Sequence, residues 1–403
     1  MSAPAQARAG GGARVLSAAA IAERLGRPLP TAEQAAVIEA PVEPMLVVAG
    51  AGSGKTETTA SRVVWLVANG LVEPEQVLGL TFTRKAAGEL AERVRRRLRA
   101  LRSRGLTSAG AAGDLDAGEP TIATYNAYAA SLVADHGLRL GVEPTSGVLT
   151  EAGAWQLATE VVEGWRGDLG ELDLSPEAVT RALLGLSGQC AEHLLDPADV
   201  GGWIDRALAH VARLPRDDRS VAKLGAHVAG EPFAKVREVL ASLRARRALL
   251  PLLEEYARRK AEREQLDFGD QVRVAARLAT EVRVVAAGER ARFRVVLLDE
   301  YQDTSHAQLV LLRALFGDGH PVTAVGDPHQ SIYGWRGASA GNLASFPAHF
   351  RRADDSPAPV VPLSTSWRND VAVLAVANAV AAPLRAGAGD VAPPLRARPG
   401  AGP

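Results

Sequence analysis

Residues 49–56 read AGAGSGKT, a glycine-rich turn between a short apolar run at 45–48 and a stretch, 55–69, in which Val63, Leu66 and Val67 recur at helical spacing. Strand, glycine-rich turn and helix in that order build the anion cradle of nucleotide-binding α/β sheets, so this segment restricts the fold more than any other. Glycines let backbone N–H groups close around a phosphate, the helix N-terminus adds partial positive charge, and Lys55 supplies a full one. Ala49, Gly50, Ala51, Gly52, Ser53 and Gly54 would form the cradle, with Ala49 where a glycine is usual, and Thr56 would ligate Mg2+.

The same rhythm repeats along the chain. Apolar runs at 77–82, 121–123, 293–298, 321–325 and 361–363 predict strands, and helical patterns follow at 84–102, 125–136 and 371–381. Strands alternating with helices predict an α/β fold with a parallel, doubly wound sheet. Between 137 and 263 helical patterns predominate, at 154–165, 176–186 and 233–263, with no convincing strand. That segment reads as a helical insertion dividing the core into 21–136 and 264–355. Residues 1–20 read as a leader, with order beginning near Ile21, and 103–118 as a loop. Residues 356–362 read as a linker, and the Gly-, Ala- and Pro-rich tail after 381 as unable to form a core.

Composition bounds the function. Forty-six basic residues against 46 acidic ones exclude a globally basic nucleic-acid binder, so any such site must be a local patch. A single cysteine, Cys190, excludes a disulfide framework, a thiolate zinc site and a cysteine-held iron–sulfur cluster, and fits a reducing cytoplasm. No stretch approaches 18 unbroken apolar residues and the first residues lack a signal-type apolar segment, so neither secretion nor a membrane span is expected. His136, His306 and His320 show no metal-ligand spacing with one another or with Cys190.

The run VVLLDE delivers Asp299 and Glu300 to a strand's carboxyl end, where α/β sheets bind ligands. Asp299 would hold Mg2+ through water, and Glu300 would orient and deprotonate an attacking water. Gln330 follows the next strand, where its amide could bridge a γ-phosphate, although from spacing alone it reads more readily as a turn cap. Aromatic residues make up only 4% of the chain, so their placement carries weight. Tyr333 and Trp335 lie beside Arg336, and Phe82 precedes Arg84 and Lys85. Rings beside cations hold single strands by stacking and phosphate contact. The run Arg93, Arg95, Arg96, Arg97, Arg99 reads mainly as a solvated helix face.

Taken in order, these segments resemble the UvrD/Rep/PcrA-like helicases of superfamily 1. PTAEQAAVI resembles the family's Q motif, AGAGSGKT motif I, LTFTRKAAGEL motif Ia and TYNAYA motif Ib. LDFGD is similar to the family's LDFDD segment, LLDEYQDTS to motif II, VGDPHQSIYGWRGA to motif III and LSTSWRND to motif IV. The text GKTETTASRVVWLVANG and the long helical insertion are most similar to AdnB-type helicase–nuclease subunits.

The resemblance implies an ATP- and Mg2+-dependent 3′ to 5′ DNA helicase serving repair or recombination, with single-stranded DNA and single/double-strand junctions as partners and a second helicase–nuclease subunit as a further one. It implies that Gln34 reads adenine, that Thr58 and Arg62 serve the ATP pocket, and that Trp367 stacks on adenine. Arg368 would be an arginine finger from a second core, and Gln330 would couple γ-phosphate to DNA. Phe82, Thr83, Arg84 and Lys85, then Thr124, Tyr125 and Asn126, then Tyr333, Trp335 and Arg336, match DNA-contacting positions.

Three departures stand out. Glu57 replaces an arginine of the nucleotide pocket, Asn126 stands where histidine is common, and His329 where an acidic residue is common. Nothing after Asn369 resembles motifs V and VI or a nuclease motif, so 356–403 is expected to be a linker and the truncated start of a second core. Feeble hydrolysis and no unwinding are expected from these residues alone. Two rivals remain open at this point: a non-catalytic DNA-binding subunit of a helicase–nuclease, and a P-loop ATPase switch indifferent to DNA.

Overall fold

A computed structural model describes residues 15–106, 118–167, 172, 174–213, 234–334, 337–338, 340–388 and 392–402. Residues 1–14 of the expected leader, most of the 103–118 loop, and Trp335 and Arg336 lie outside the described residues. Helices α1 (Ala18–Arg24) and α2 (Ala32–Ile38) precede β1 (Met45–Ala49), α3 (Lys55–Ala68), β2 (Val77–Thr81), α4 (Arg84–Ser103), β3 (Thr121–Thr124) and α5 (Tyr125–His136). Next come β4 (Gly147–Val148), α6 (Glu151–Gly164), α7 (Pro176–Glu192), α8 (Pro197–Arg213), α9 (Ala234–Glu262) and β5 (Gln265–Leu266). The chain continues through α10 (Phe268–Glu281), α11 (Arg283–Arg292), β6 (Val295–Leu298), α12 (His306–Phe316), β7 (Val322–Gly326) and α13 (Ala340–His349). It closes with β8 (Val360–Leu363), β9 (Thr365–Ser366), α14 (Val371–Ala388) and β10 (Arg396–Ala397).

Six strands form one sheet in the order β3-β2-β6-β7-β1-β8, every neighbouring pair parallel. β1, β2, β6 and β7 are buried along their whole length, because helices cover both faces. The pleat sorts their side chains: Leu78, Leu80, Val296 and Leu298 pack toward α5, α10 and α12, whereas Val77, Val295 and Leu297 pack toward α3 and α4. A separate apolar cluster is built on α6, α7 and α9, around Leu157, Val161, Leu183, Leu252 and Tyr256.

Four sequence expectations need correction. β8 was expected to begin a second core, yet it pairs with β1, Leu46 opposite Val360 and Ala49 opposite Leu363, and so extends the first sheet. The tail does find a core: Ala392 is buried, β10 pairs with β9, and Asn378 exchanges hydrogen bonds of 2.8 and 2.9 Å with the Leu395 backbone. Strands are not absent around the insertion, since β4 pairs in parallel with β5 at its base. Order begins before Ile21, where Ser17 caps α1 and the Trp65 indole donates to the Leu16 carbonyl at 2.8 Å.

Candidate functional site

Parallel strands place their carboxyl ends along one edge, and most of the expected motifs follow such an end. The glycine loop follows β1, Phe82 follows β2, and Tyr125 follows β3. Asp299 and Glu300 follow β6, Asp327 to Gln330 follow β7, and Ser364 to Arg368, which include β9, follow β8.

Gly52 and Gly54 in the loop have φ of +76° and +85°, a region that strains any residue with a Cβ. A Cβ on Gly52 would also meet Ser366 Oγ at 2.9 Å and the Arg368 Cβ at 2.8 Å. The Trp367 N–H donates to the Gly52 carbonyl at 2.8 Å, so the Trp367–Arg368 segment is stitched directly onto the loop. Both side chains are exposed beside it. Arg368 is thus held by the first core's own sheet edge, not by a second core.

Lys55 Nζ pairs with Glu300 Oε2 at 3.1 Å. Glu300 has φ of +50°, a left-handed backbone rare outside glycine and a mark of strain at functional sites. Gln302, within the LLDEYQDTS segment, is the hub of the edge. Its Nε2 donates to Glu300 Oε2 at 2.8 Å and to Asp303 Oδ2 at 3.2 Å, and its Oε1 accepts the Asp327 N–H at 3.1 Å. Asp327 in turn accepts the Gln330 amide at 2.5 Å, so Gln330 does brace a turn in this state. Burial, reinforced by the neighbouring Glu300 charge, pushes the Asp299 carboxyl up to about 6.

The buried Ser53 hydroxyl has no hydrogen-bond partner among the described residues, and Thr56 is half-buried beside it. An orphan hydroxyl, a buried acid and an ammonium–carboxylate pair around a glycine loop fit a Mg2+-bound triphosphate. Gln34 caps α2, its Oε1 accepting the Thr31 N–H at 3.1 Å while its Nε2 reaches the Ser53 carbonyl at 3.4 Å. It therefore borders the loop.

Three expected contacts are corrected. Arg62 is 1% exposed, and its two Nη atoms donate at 2.9 to 3.2 Å to the carbonyls of Val37, Ile38, Ala40 and Pro41. It caps the carboxyl end of α2, positioning Gln34's helix without facing the loop, and burial pulls its pKa down to about 10. Thr58 is buried and its hydroxyl donates to the Gly54 carbonyl at 3.0 Å, bracing the loop from inside. Tyr125 is 3% exposed and its hydroxyl donates to the Asp299 carbonyl at 2.9 Å, so it is a strut within the core and not a stacking surface.

Of the remaining positions, Phe82, Thr124 and Asn126 line a cleft beside this edge. The Phe82 and Tyr333 rings lie 4.5 Å apart. Thr83 and Thr124 are N-caps of α4 and α5, while Arg84 and Lys85 are exposed. Asn126 accepts the Gln308 amide at 3.1 Å. Phe82, Thr124, Asn126, Gln308 and Phe268 line a cavity of about 330 Å3, which the buried Tyr125 borders from behind. Phe268 and Gln308 were not singled out in the sequence, though Phe268 lies within LDFGD. Glu57 turns away from the loop to pair with Arg97 at 2.5 Å and Arg93 at 3.2 Å on α4, which accounts for two members of the basic run.

A parallel sheet carrying a glycine loop, a lysine and an acidic pair at one edge defines a P-loop nucleotide-binding protein. The UvrD/REP helicase N-terminal domain matches residues 30–351, and the chain belongs to that family. It is 30% identical over 364 residues to the ATP-dependent DNA helicase UvrD1 of Mycobacterium tuberculosis, covering 88% of this chain and 39% of that protein. It is 27% identical over 342 residues to the ATP-dependent DNA helicase PcrA of Bacillus subtilis, covering 84% and 37%. With the DNA helicase II of Rickettsia typhi it shares 27% over 339 residues, covering 84% and 42%. The chain thus spans about two fifths of the length of these relatives. Among the described residues no helix is long and apolar enough to cross a membrane.

Proposed function

We propose that the chain is the nucleotide-binding half of an ATP-dependent DNA helicase or translocase, in which Mg2+-ATP at the sheet edge alters the grip of the neighbouring cleft on single-stranded DNA. One observation carries this reading. Hydrogen bonds run from Lys55 through Glu300, Gln302 and Asp327 to Gln330, on the turn that leads to Tyr333 and its partner ring Phe82.

The chemistry follows from those contacts. Mg2+ held near Thr56 and Asp299 would neutralise phosphate charge. Backbone N–H groups of residues 50–55 hold phosphates, and Gln34 and Trp367 hold the base. Lys55 exchanges Glu300 for phosphate, which frees the Glu300 carboxylate to accept a proton from the attacking water. Glu300's departure removes one acceptor from Gln302, so the Asp327–Gln330 turn loses a restraint. Gln330 is then able to leave Asp327 and report the γ-phosphate to Tyr333. Arg368, stitched beside Gly52, adds positive charge at the same phosphates.

Phe82, Arg84, Lys85, Thr83, Thr124, Asn126, Tyr333 and, outside the described residues, Trp335 and Arg336 form the DNA contacts. Movement in the 3′ to 5′ direction, action at single/double-strand junctions in repair or recombination, and pairing with a second subunit as in AdnB-type helicase–nucleases are the finer parts of the proposal. At two fifths of its relatives' length, this chain is expected to bind nucleotide and DNA, to hydrolyse feebly and not to unwind.

The test is ATP hydrolysis with and without single-stranded DNA, with Glu300→Gln as the control. A slow rate that single-stranded DNA raises and Glu300→Gln abolishes supports the reading, as does Lys55-dependent nucleotide binding without hydrolysis. Nucleotide binding that is indifferent to Lys55→Ala would sink it.

A further inference from the structure

A cavity of about 230 Å3 lies on one flank of the glycine loop, enclosed by that loop, the turn after β7, and α14 with the tail that follows it. Gly50, Ala51, His329 and Gln330 line it from the first core, and Arg385 and Leu395 from α14 and the tail. Lys55, Thr56, Asp299 and Glu300 are not among its described walls, so it stands apart from the ammonium and metal end of the cradle. Gln330 belongs to both places. It ends the chain of hydrogen bonds that starts at Lys55, and it also lines this cavity.

The tail side of the cavity is fixed in place. Asn378 clamps the Leu395 backbone with hydrogen bonds of 2.8 and 2.9 Å, and the Leu395 side chain fills the space that a Cβ on Gly50 would need. The polar groups left over are donors. The buried Nε2 of His329 has no hydrogen-bond partner among the described residues. Arg385 meets no acid among them; one of its N–H groups donates to the Asn378 carbonyl at 2.6 Å and the others remain for a ligand. Asp327 is the one acid among the described walls, and its own turn takes up both oxygens, through the His329 N–H at 2.9 Å and the Gln330 amide at 2.5 Å. Val48, Leu363 and Ala381 complete the lining, an apolar setting in which a guanidinium attracts an anion more strongly than it does in water.

We infer that this cavity is a binding site for inorganic phosphate, in which Arg385 and His329 donate to the orthophosphate that leaves the cradle after hydrolysis. This rests on the proposed nucleotide hydrolysis at the neighbouring loop. A tetrahedral oxyanion accepts hydrogen bonds from several directions at once, which suits a guanidinium and an imidazole on opposite walls. The cavity is several times the ~30 Å3 share of a liquid water, so the ion enters with part of its hydration shell. Orthophosphate passes Gln330 into this space while the nucleoside diphosphate stays with Lys55 and Thr56.

The experiment titrates the full chain with orthophosphate, followed by phosphorus NMR line broadening, and in parallel with fluorescent ATP and ADP analogues. Melting temperature checks that each variant folds. Arg385→Gln is expected to weaken orthophosphate binding about tenfold, the size of one lost hydrogen bond to a charged group, and His329→Asn to weaken it less. Arg385→Lys keeps the charge and most of the affinity. Both analogues should bind Arg385→Gln and His329→Asn within about twofold of wild type, and Lys55→Ala should leave orthophosphate binding within the same range, as independent sites do. Orthophosphate binding that Lys55→Ala abolishes, and that Arg385→Gln and His329→Asn leave intact, puts the ion in the cradle and overturns the site while the nucleotide reading stands. A chain that binds nucleotide but no orthophosphate overturns it equally. If Arg385→Gln weakens the ATP analogue but not the ADP analogue, the cavity seats the nucleotide's own terminal phosphate and the release site is overturned. If neither nucleotide nor orthophosphate binds the wild type, both readings fall.

Discussion

At the proposed nucleotide edge Lys55, Glu300, Gln302, Asp327 and Gln330 satisfy one another by hydrogen bonds of 2.5 to 3.1 Å, whereas at the proposed DNA edge Arg84 stands exposed and Lys85 has, among the described residues, only a 3.9 Å exposed pair with Glu89. The two edges lie on neighbouring strand ends of the same sheet, so the difference is not one of scaffold and fits the chemistry of the two proposed ligands. A triphosphate concentrates charge at fixed positions and rewards groups pre-set at those positions. A single strand offers a repeating charge and planar bases, and rings with mobile cations suffice. Substitutions at the first edge should therefore act nearly all-or-none, and those at the second by degrees.

The largest effect is expected at Lys55. Lys55→Ala removes the only full positive charge inside the glycine loop, and nucleotide affinity, followed with a fluorescent ATP analogue, should fall at least about a hundredfold, consistent with the loss of charge-assisted phosphate contacts. It also leaves Glu300 without its cation. A loss of tenfold or less would show that the loop's backbone N–H groups and Arg368 do most of the binding, and would make the nucleotide edge as graded as the DNA edge.

Asp299 sharpens the contrast because its environment opposes its charge. The folded protein raises its pKa from 3.8 to about 6, so the native state holds this proton more tightly than the unfolded chain does. Its favourable contribution is complete below about pH 4 and is lost as pH rises through 6; at neutral pH the buried carboxylate destabilises the fold. Asp299→Asn should thus stabilise the ligand-free protein at pH 7.5 by about 1–3 kcal/mol while abolishing Mg2+-dependent nucleotide binding. Thermal melts of the two proteins at pH 4 and pH 7.5 test the sign. A variant that melts lower than the wild type at pH 7.5 would mean that Asp299 already has a compensating partner.

Phe82→Ala should weaken single-strand binding about tenfold, the range of one stacked base, with nucleotide affinity within about twofold of wild type. The Tyr333 ring, 4.5 Å away, loses its neighbour as well. Loss of nucleotide binding in this variant would mean that the two edges are one cooperative unit and would break the comparison.

The strands and the nucleotide edge were legible because both are written locally. A buried parallel strand is a continuous apolar run, and the glycine loop and the Asp299–Glu300 pair occupy consecutive positions. What failed was non-local. Nothing in Val360–Leu363 states that it pairs with β1, so a Pro-rich stretch was read as a domain boundary. Two-residue strands such as β4 and β5 carry no period to detect. The reversal of Arg62 had a visible signal: it is followed at once by the apolar run 63–68, all of it buried, on a helix with little open face. Tyr125 had one too. With Tyr128, Ala129, Leu132 and Val133 it completes an i, i+3, i+4, i+7, i+8 stripe, which marks a core face whatever motif it also matches.

That stripe leads to the smallest expected effect. Tyr125 joins the helix behind the DNA edge to the Asp299 carbonyl behind the nucleotide edge, through one buried hydrogen bond of 2.9 Å. Tyr125→Phe keeps the ring, and with it any stacking, but removes the donor and leaves that carbonyl unpaired in a dry position. The cost should be about 1–2 kcal/mol, seen as a drop of a few degrees in melting temperature. Single-strand affinity should stay within about twofold, since Tyr125→Phe leaves unchanged the little of the 3% exposed ring that borders the cleft. DNA stimulation of hydrolysis should fall further than affinity does, because the strut is a direct covalent-and-hydrogen-bonded path between the two edges. If instead affinity falls while the melting temperature holds, Tyr125 belongs to the DNA surface after all, and the cleft must open in the bound state to expose it.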